Sequence, residues 1–163
     1  MDEKEFLQLI NTHQGTIFHL LGLYVPDPAD KDDLKQEIIL QAWKSKDKFR
    51  QESSFNTWLY KLSLYTILTS KRKQGKIQQV NLEAAENLPA IEKPEQRQVD
   101  LLYASIAGLD DVNKTIITMH LDGFSNADIA AFLGVSVNNL GVKLHRIKEK
   151  ISTHLKASNH GDK

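Results

Sequence analysis

The sequence contains no cysteine, which excludes disulfides, thiolate metal sites and thiol nucleophiles. Its six histidines (His13, His19, His120, His145, His154 and His160) show no paired ligand spacing, so no metal site is expected. Long hydrophobic runs are missing as well, and the chain opens on Met1, Asp2 and Glu3, where an export signal is basic and then apolar. Membrane insertion and export are therefore not expected, and the cytoplasm is the expected location. Net charge is absent too, with 21 Lys and Arg against 21 Asp and Glu. A zero sum argues against strong unaided binding to nucleic acid, because that affinity comes from positive charge meeting phosphate. No glycine-rich phosphate loop, Ser/His/Asp set or paired-carboxylate pocket is evident, so neither an enzyme nor a cofactor is expected. What is present is globular: 40% hydrophobic and 26% charged residues over 163 positions, enough for one domain or two small ones.

The charges are sorted into blocks. Lys44 to Lys76 holds nine basic residues against Asp47 and Glu52, a net of +7, which is basic enough to meet phosphate. Met1 to Trp43 holds eight acids against Lys4, Lys31 and Lys35, a net of −5. Leu140 to Lys156 is basic again, with Lys143, Arg146, Lys148, Lys150 and Lys156 against Glu149. Two basic surfaces and one acidic surface point to several partners.

Apolar residues recur at helical spacing and nowhere at strand spacing. Phe6, Leu9, Ile10, His13, Ile17, Leu20 and Leu21 predict a first helix from Glu5 to Tyr24, broken by Pro26 and Pro28. Asp30 or Asp32 can cap a second helix to about Lys46. On its wheel Leu34, Ile38, Ile39, Leu40, Ala42 and Trp43 spread around most of the circumference. That predicts a mostly buried helix showing a narrow acidic stripe of Asp30, Asp33 and Glu37. The polar segment Asp47 to Ser54 reads as a loop, with Ser53 or Ser54 capping a third helix from Phe55 to Lys73 that buries Phe55, Leu59, Leu62 and Thr66. Residues 75–98 lack aromatics, contain Gly75, Pro89 and Pro94, and read as a flexible linker. Beyond it, Val99, Leu102, Tyr103 and Ile106 predict a fourth helix, and Ile116, Ile117 and Leu121 a fifth. Ile129, Ala130 and Leu133 predict a sixth, ended by Gly134. Val137, Leu140, Leu144, Ile147 and Ile151 predict a seventh, capped by Ser136. The expected fold is therefore all-α: a three-helix domain over 1–74, the linker, and a four-helix helix-turn-helix domain over 99–156, with a disordered tail at 157–163.

Two faces invite a nucleic acid. In a helix-turn-helix the second helix enters the major groove. The face opposite Leu140 holds Asn138, Val142, His145, Arg146 and Glu149, with Asn139 and Lys143 at its edges. Asn and Arg can pair with adenine and guanine edges, and Val142 can meet a thymine methyl. The competing reading is a plain helical hairpin with a solvated polar face. On the third helix Trp58, Lys61, Tyr65 and Arg72 line up as a basic strip interleaved with aromatics. It fits a stacking platform for unpaired bases beside a phosphate track, or equally a half-buried core edge with solvated lysines. The acidic stripe is either a docking face for a basic partner or simple complementarity to the helix dipole.

These segments resemble the extracytoplasmic-function (ECF) sigma factors, the small two-domain members of the bacterial sigma-70 class. DDLKQEIILQAW (Asp32 to Trp43) is similar to that family's polymerase-binding helix, FRQESSFNTWLYKL (Phe49 to Leu62) to its promoter-opening segment, and Leu109 to Ile151, with GFSNADIAAFLGVS and KLHRIKEKI, to its −35-reading domain. The resemblance implies a protein that directs core RNA polymerase to promoters and helps open the −10 element. Its partners would be the polymerase, duplex −35 DNA, single-stranded −10 DNA and an anti-sigma factor. By position, Asp33, Gln36 and Glu37, with Asp30 beside them, would face the polymerase clamp helices. Phe49, Arg50 and Ser53 would fall in the loop that captures a flipped base, with Trp58 and Tyr65 on the adjoining strip, while Lys61, Lys71 and Arg72 would hold phosphates. Asn138, Asn139, Val142, Lys143, His145, Arg146 and Lys150 would lie on the −35 element. The sequence departs from the usual pattern at Leu64-Tyr65, where Arg-Asn is common, and at Gly141, where a lysine is common. The alternative is a stand-alone helix-turn-helix regulator that binds duplex DNA without polymerase.

Overall fold

The structure, a computed structural model, describes residues 1–75 and 94–160, with side chains over 1–75 and 98–157. Its first helix, α1 (Glu3–Tyr24), starts where the Asp2 carboxylate accepts the Glu5 N–H at 2.8 Å, with Glu3 and Glu5 placed where the helix dipole favours acids. α2 (Pro28–Ser45) is capped by Asp27, whose side chain accepts the Ala29 N–H at 2.8 Å. The cap expected at Asp30 or Asp32 therefore lies upstream, because Pro28 fits the first helical position, where its missing N–H costs nothing. A short 3-10 turn (Lys46–Lys48) and a loop lead to α3 (Phe55–Lys73), where Ser54 Oγ accepts the Thr57 N–H at 3.1 Å.

These three helices pack pairwise around Ile17, Leu20, Ile38, Ala42, Leu59, Leu64 and Ile67, all wholly buried. Burying each Leu or Ile contributes about 1.5–3 kcal/mol, so this core is what orients the outward faces of the three helices. α2 differs from its expectation. Only Ile38 and Ala42 are buried; Leu34, Ile39 and Trp43 are half-buried and Leu40 is exposed, because α1 and α3 cover α2 without enclosing it. Leu62, expected inside, is half-buried.

The second unit holds α4 (Pro94–Ala107), α5 (Asp111–Leu121), α6 (Asn126–Leu133) and α7 (Val137–His160). The chain falls into two compact units, residues 1–76 and 77–163. α7 packs against the other three helices around Ile106, Ile116, Met119, Ile129, Leu140 and Ile147. α4 begins at Pro94, earlier than the Val99 start expected, because proline suits a first turn and Glu-Gln-Arg-Gln are good helix formers. The remainder of the expected linker, from 76 to 93, lies outside the described residues. Val99, Tyr103, Leu121 and Val137, assigned inward by spacing, are exposed; the helical stripe runs on past the point where a neighbouring helix covers it. Helix α7 also runs through 157–160, part of the tail expected to be disordered, because Lys156, Ala157 and their neighbours simply continue its turns; 161–163 lie outside the described residues. Seven α-helices and no strand are found among the described residues, as the apolar spacing predicts.

Candidate nucleic-acid interface

The helix-turn-helix of α6 and α7 is built from three local devices. Ser125 Oγ accepts the Asp128 N–H at 3.1 Å and starts α6. Gly134, at φ +71°, ends it in the left-handed region that glycine enters without a side-chain penalty, and the Val135 N–H returns to the Ala130 carbonyl at 3.0 Å. Ser136 Oγ then accepts the Asn139 N–H at 3.1 Å and starts α7. Leu140, Leu144, Ile147 and Ile151 anchor α7 in the core, so its far side is turned to solvent. Asn138, Asn139, Val142, Lys143, His145, Arg146 and Lys150 are all exposed, as a base- and phosphate-reading face requires. His145 is not alone on that face: its Nε2 lies 3.2 Å from Glu149 Oε1, an ion pair whenever the imidazole is protonated. Glu149, which the helical wheel already put on this face, is thus tied to His145 one turn upstream.

In the first unit the loop before α3 is closed by rings. Phe49 lies 5.7 Å from Phe55 and 5.4 Å from Trp58, Phe55 lies 5.4 Å from Trp58, and His13 of α1 adds a contact to Phe55 at 5.7 Å between ring centres. Phe49 and Trp58 are consequently half-buried in a cluster, whereas Arg50 and Ser53 are exposed on the loop between. Of the expected strip on α3, Tyr65 is 67% exposed, Arg72 is exposed and Lys61 is half-buried. Lys71 is set apart from that strip. Its ammonium lies 5.5 Å from the centre of the Tyr24 ring, on the side facing α1.

On α2 the structure brings Asp33, Gln36 and Glu37 together on the exposed face, with Asp30 half-buried one turn upstream. Glu37 Oε1 accepts a hydrogen bond from Gln41 Nε2 at 2.7 Å, which orients its carboxylate. Leu40, 44% exposed, lies among these polar groups, one turn beyond Gln36 and Glu37. The spacing that aligned the acids places Leu40 with them, but its apolar character assigned it to the core. Among the described residues no helix is long and apolar enough to cross a membrane.

The chain is similar to known proteins over nearly its whole length. The family model for Sigma-70 region 2 matches residues 9–77, and that for Sigma-70, region 4 matches residues 100–151. A protein of Haemophilus influenzae named ECF RNA polymerase sigma-E factor is 30% identical over 169 residues, covering 94% of this chain and 89% of that protein. Its namesake from Escherichia coli K12 is 29% identical over 165 residues, covering 92% of this chain and 86% of that one. Among solved structures, the sigma factor RpoE in complex with the anti-sigma factor NepR from Bartonella quintana has a TM-score of 0.63 at 19% identity, covering 94% of this chain and 96% of that one. CnrH in complex with the cytosolic domain of CnrY has a TM-score of 0.65 at 21% identity, covering 96% and 90%. At those identities the two structures speak for the fold.

Proposed function

The chain belongs to the ECF RNA polymerase sigma factors of the sigma-70 family, and from that premise we propose how its surfaces divide the work. The exposed face of α2 (Asp33, Gln36, Glu37, with Asp30 at its edge) docks on core polymerase. The loop carrying Arg50 and Ser53, closed by Phe49, and the strip of Trp58, Lys61, Tyr65 and Arg72 engage the separated −10 strand, with Lys71 holding phosphate from the side. The exposed face of α7 (Asn138, Asn139, Val142, Lys143, His145, Arg146 and Lys150) reads the −35 duplex. The chain makes and breaks no bonds of its own in this reading. Its contribution is binding energy aimed at one promoter sequence and at the opened state.

The observation that carries the reading is the order of the two matches along the chain. Each falls on a unit whose exposed face has the chemistry its partner needs: carboxylates and an aromatic on a basic strip in the first, Asn and Arg on a groove-sized helix in the second. A stand-alone helix-turn-helix regulator, the competing reading, leaves the exposed faces of α2 and α3 without a use, and it is not favoured. A sigma factor of like fold, RpoE of Bartonella quintana, is solved in complex with the anti-sigma factor NepR; an anti-sigma factor is the further partner proposed for this chain, and the cytoplasm, where polymerase and promoter DNA are met, its proposed place of action. The test is reconstitution. The chain added to bacterial core polymerase should co-elute with it and select, from a randomised promoter library, templates sharing one −35 and one −10 motif. Duplex binding without polymerase, and no transcription with it, would return the protein to the regulator class.

A further inference from the structure

Gln51 is the only non-glycine residue among the described ones with a positive φ, at +59°. For a residue with a side chain that conformation is unfavourable and persists only where the surroundings impose it. The surroundings here are specific. Phe49 and Phe55, at the two ends of the loop, are held ring to ring at 5.7 Å, and Trp58 holds both. Ser54, at φ −63° and ψ 155°, is fixed as the cap of α3. The chain between must reverse within Arg50 to Ser53, four residues that are all exposed and so have no packing of their own to shape them. Ser53 Oγ donates to the Ser54 carbonyl only at a long 3.4 Å, a weak constraint. With its ends pinned and its middle unpacked, the loop takes its shape from the left-handed turn at Gln51.

We propose that Gln51 is a positioning residue for strand opening: its backbone conformation, and not its side chain, sets Arg50 and Ser53 on the outside of a narrow loop against the separated −10 strand. This rests on the proposed use of that loop. A β-branched residue at 51, which resists positive φ most strongly, would turn the backbone toward the extended region and splay Arg50 from Ser53. The aromatic pin and the α3 cap would remain. Glycine or asparagine, which tolerate the conformation, would keep the loop's shape with or without the amide.

The test uses the full chain in holoenzyme, on a promoter selected from the randomised library. Gln51→Val should lower permanganate reactivity of −10 thymines on duplex template at least fivefold, while co-elution with core polymerase and the helical CD signal stay unchanged. Gln51→Gly and Gln51→Asn should both open the promoter within twofold of wild type. A premelted bubble should recover most of the Gln51→Val loss. Opening by Gln51→Val at wild-type level overturns the inference, as does a Gln51→Gly defect as large as that of Gln51→Val, which would give the role to the side chain. Arg50→Ala and Ser53→Ala separate this from failure of the underlying reading. If neither impairs opening, the loop does not engage the strand and the inference falls with it; if they impair it and Gln51→Val does not, the inference alone falls. Should Gln51→Val lose its helical signal, Gln51→Thr, milder in the same sense, carries the comparison with Gly and Asn under the same criteria.

Discussion

Single residues in this fold carry costs that substitutions can expose. Ser63 is wholly buried in α3 and its Oγ has no hydrogen-bond partner among the described residues. A buried unsatisfied hydroxyl costs about 1–3 kcal/mol, so Ser63→Ala should raise the urea midpoint, by about 1 kcal/mol in stability, with no change in urea m-value. A drop would mean that the alanine leaves a void which matters more than the hydroxyl. His120, in the last turn of α5, has its imidazole pushed below the usual 6.5, first by burial and second by Lys148 on α7. The unfolded chain then binds the proton more readily than the folded one. Stability contributed at His120 is present above the unfolded value and is lost as pH falls through it toward the folded value. His120→Gln should therefore show a smaller fall in melting temperature than wild type between about pH 7.5 and pH 5.5; an unchanged fall would assign the acid sensitivity to other groups. Neither feature was legible in the sequence, because spacing says which side of a helix a residue takes but not whether a hydroxyl inside finds a partner.

At the scale of elements, helices were legible and their depth was not. Capping residues, prolines and three- and four-residue apolar steps carry the α3 start at Phe55 and the Gly134 turn, since both depend on neighbours in sequence. Burial depends on which helices come to lie alongside, and so Leu40, assigned inside by its apolar character, and Val137, placed there by spacing, stand exposed. On α2 that shallow packing makes the acidic face separable from the core. Asp33 and Glu37 are one turn apart and exposed, so reversing both to Lys leaves the core of Ile38 and Ala42 untouched. The double variant should lose co-elution with core polymerase while keeping its helical CD spectrum; co-elution at wild-type strength would leave the stripe as dipole complementarity alone. On α7, exposed Arg146 and Lys150 predict opposite kinds of loss. Arg146→Ala should cost about 1–3 kcal/mol at one −35 base and relax preference there, and Lys150→Ala should weaken all sequences alike and reduce the salt slope. A uniform loss from Arg146→Ala would make it a backbone contact.

For the whole molecule the deciding quantity is a charge sum of zero, which leaves little non-specific affinity for DNA. In the proposed function the charge offered to phosphate lies, among the described residues, on the strip on α3 and the outer side of α7, and polymerase would supply the remaining binding energy. On that proposal, opening is the step to which the first unit would add something no duplex-binding surface can. Tyr65, 67% exposed with Arg72 exposed on the same side of α3, has no core role that its loss would disturb. An aromatic gains stacking energy, about 1–3 kcal/mol per base, only from a base already out of the duplex. Tyr65→Ala should for that reason leave closed-complex binding near normal and cut permanganate reactivity of −10 thymines several-fold. A premelted bubble should restore transcription, because it removes the opening cost that the lost stacking no longer offsets. Equal defects on duplex and bubble templates would place Tyr65 in recruitment instead. Trp58 supplies the internal comparison: held between Phe49 and Phe55, it ties the loop to α3, so Trp58→Ala should lower thermal stability as well as opening. A Tyr65→Ala protein that melts at the wild-type temperature and still fails to open duplex DNA would separate stacking on the strand from support of the fold.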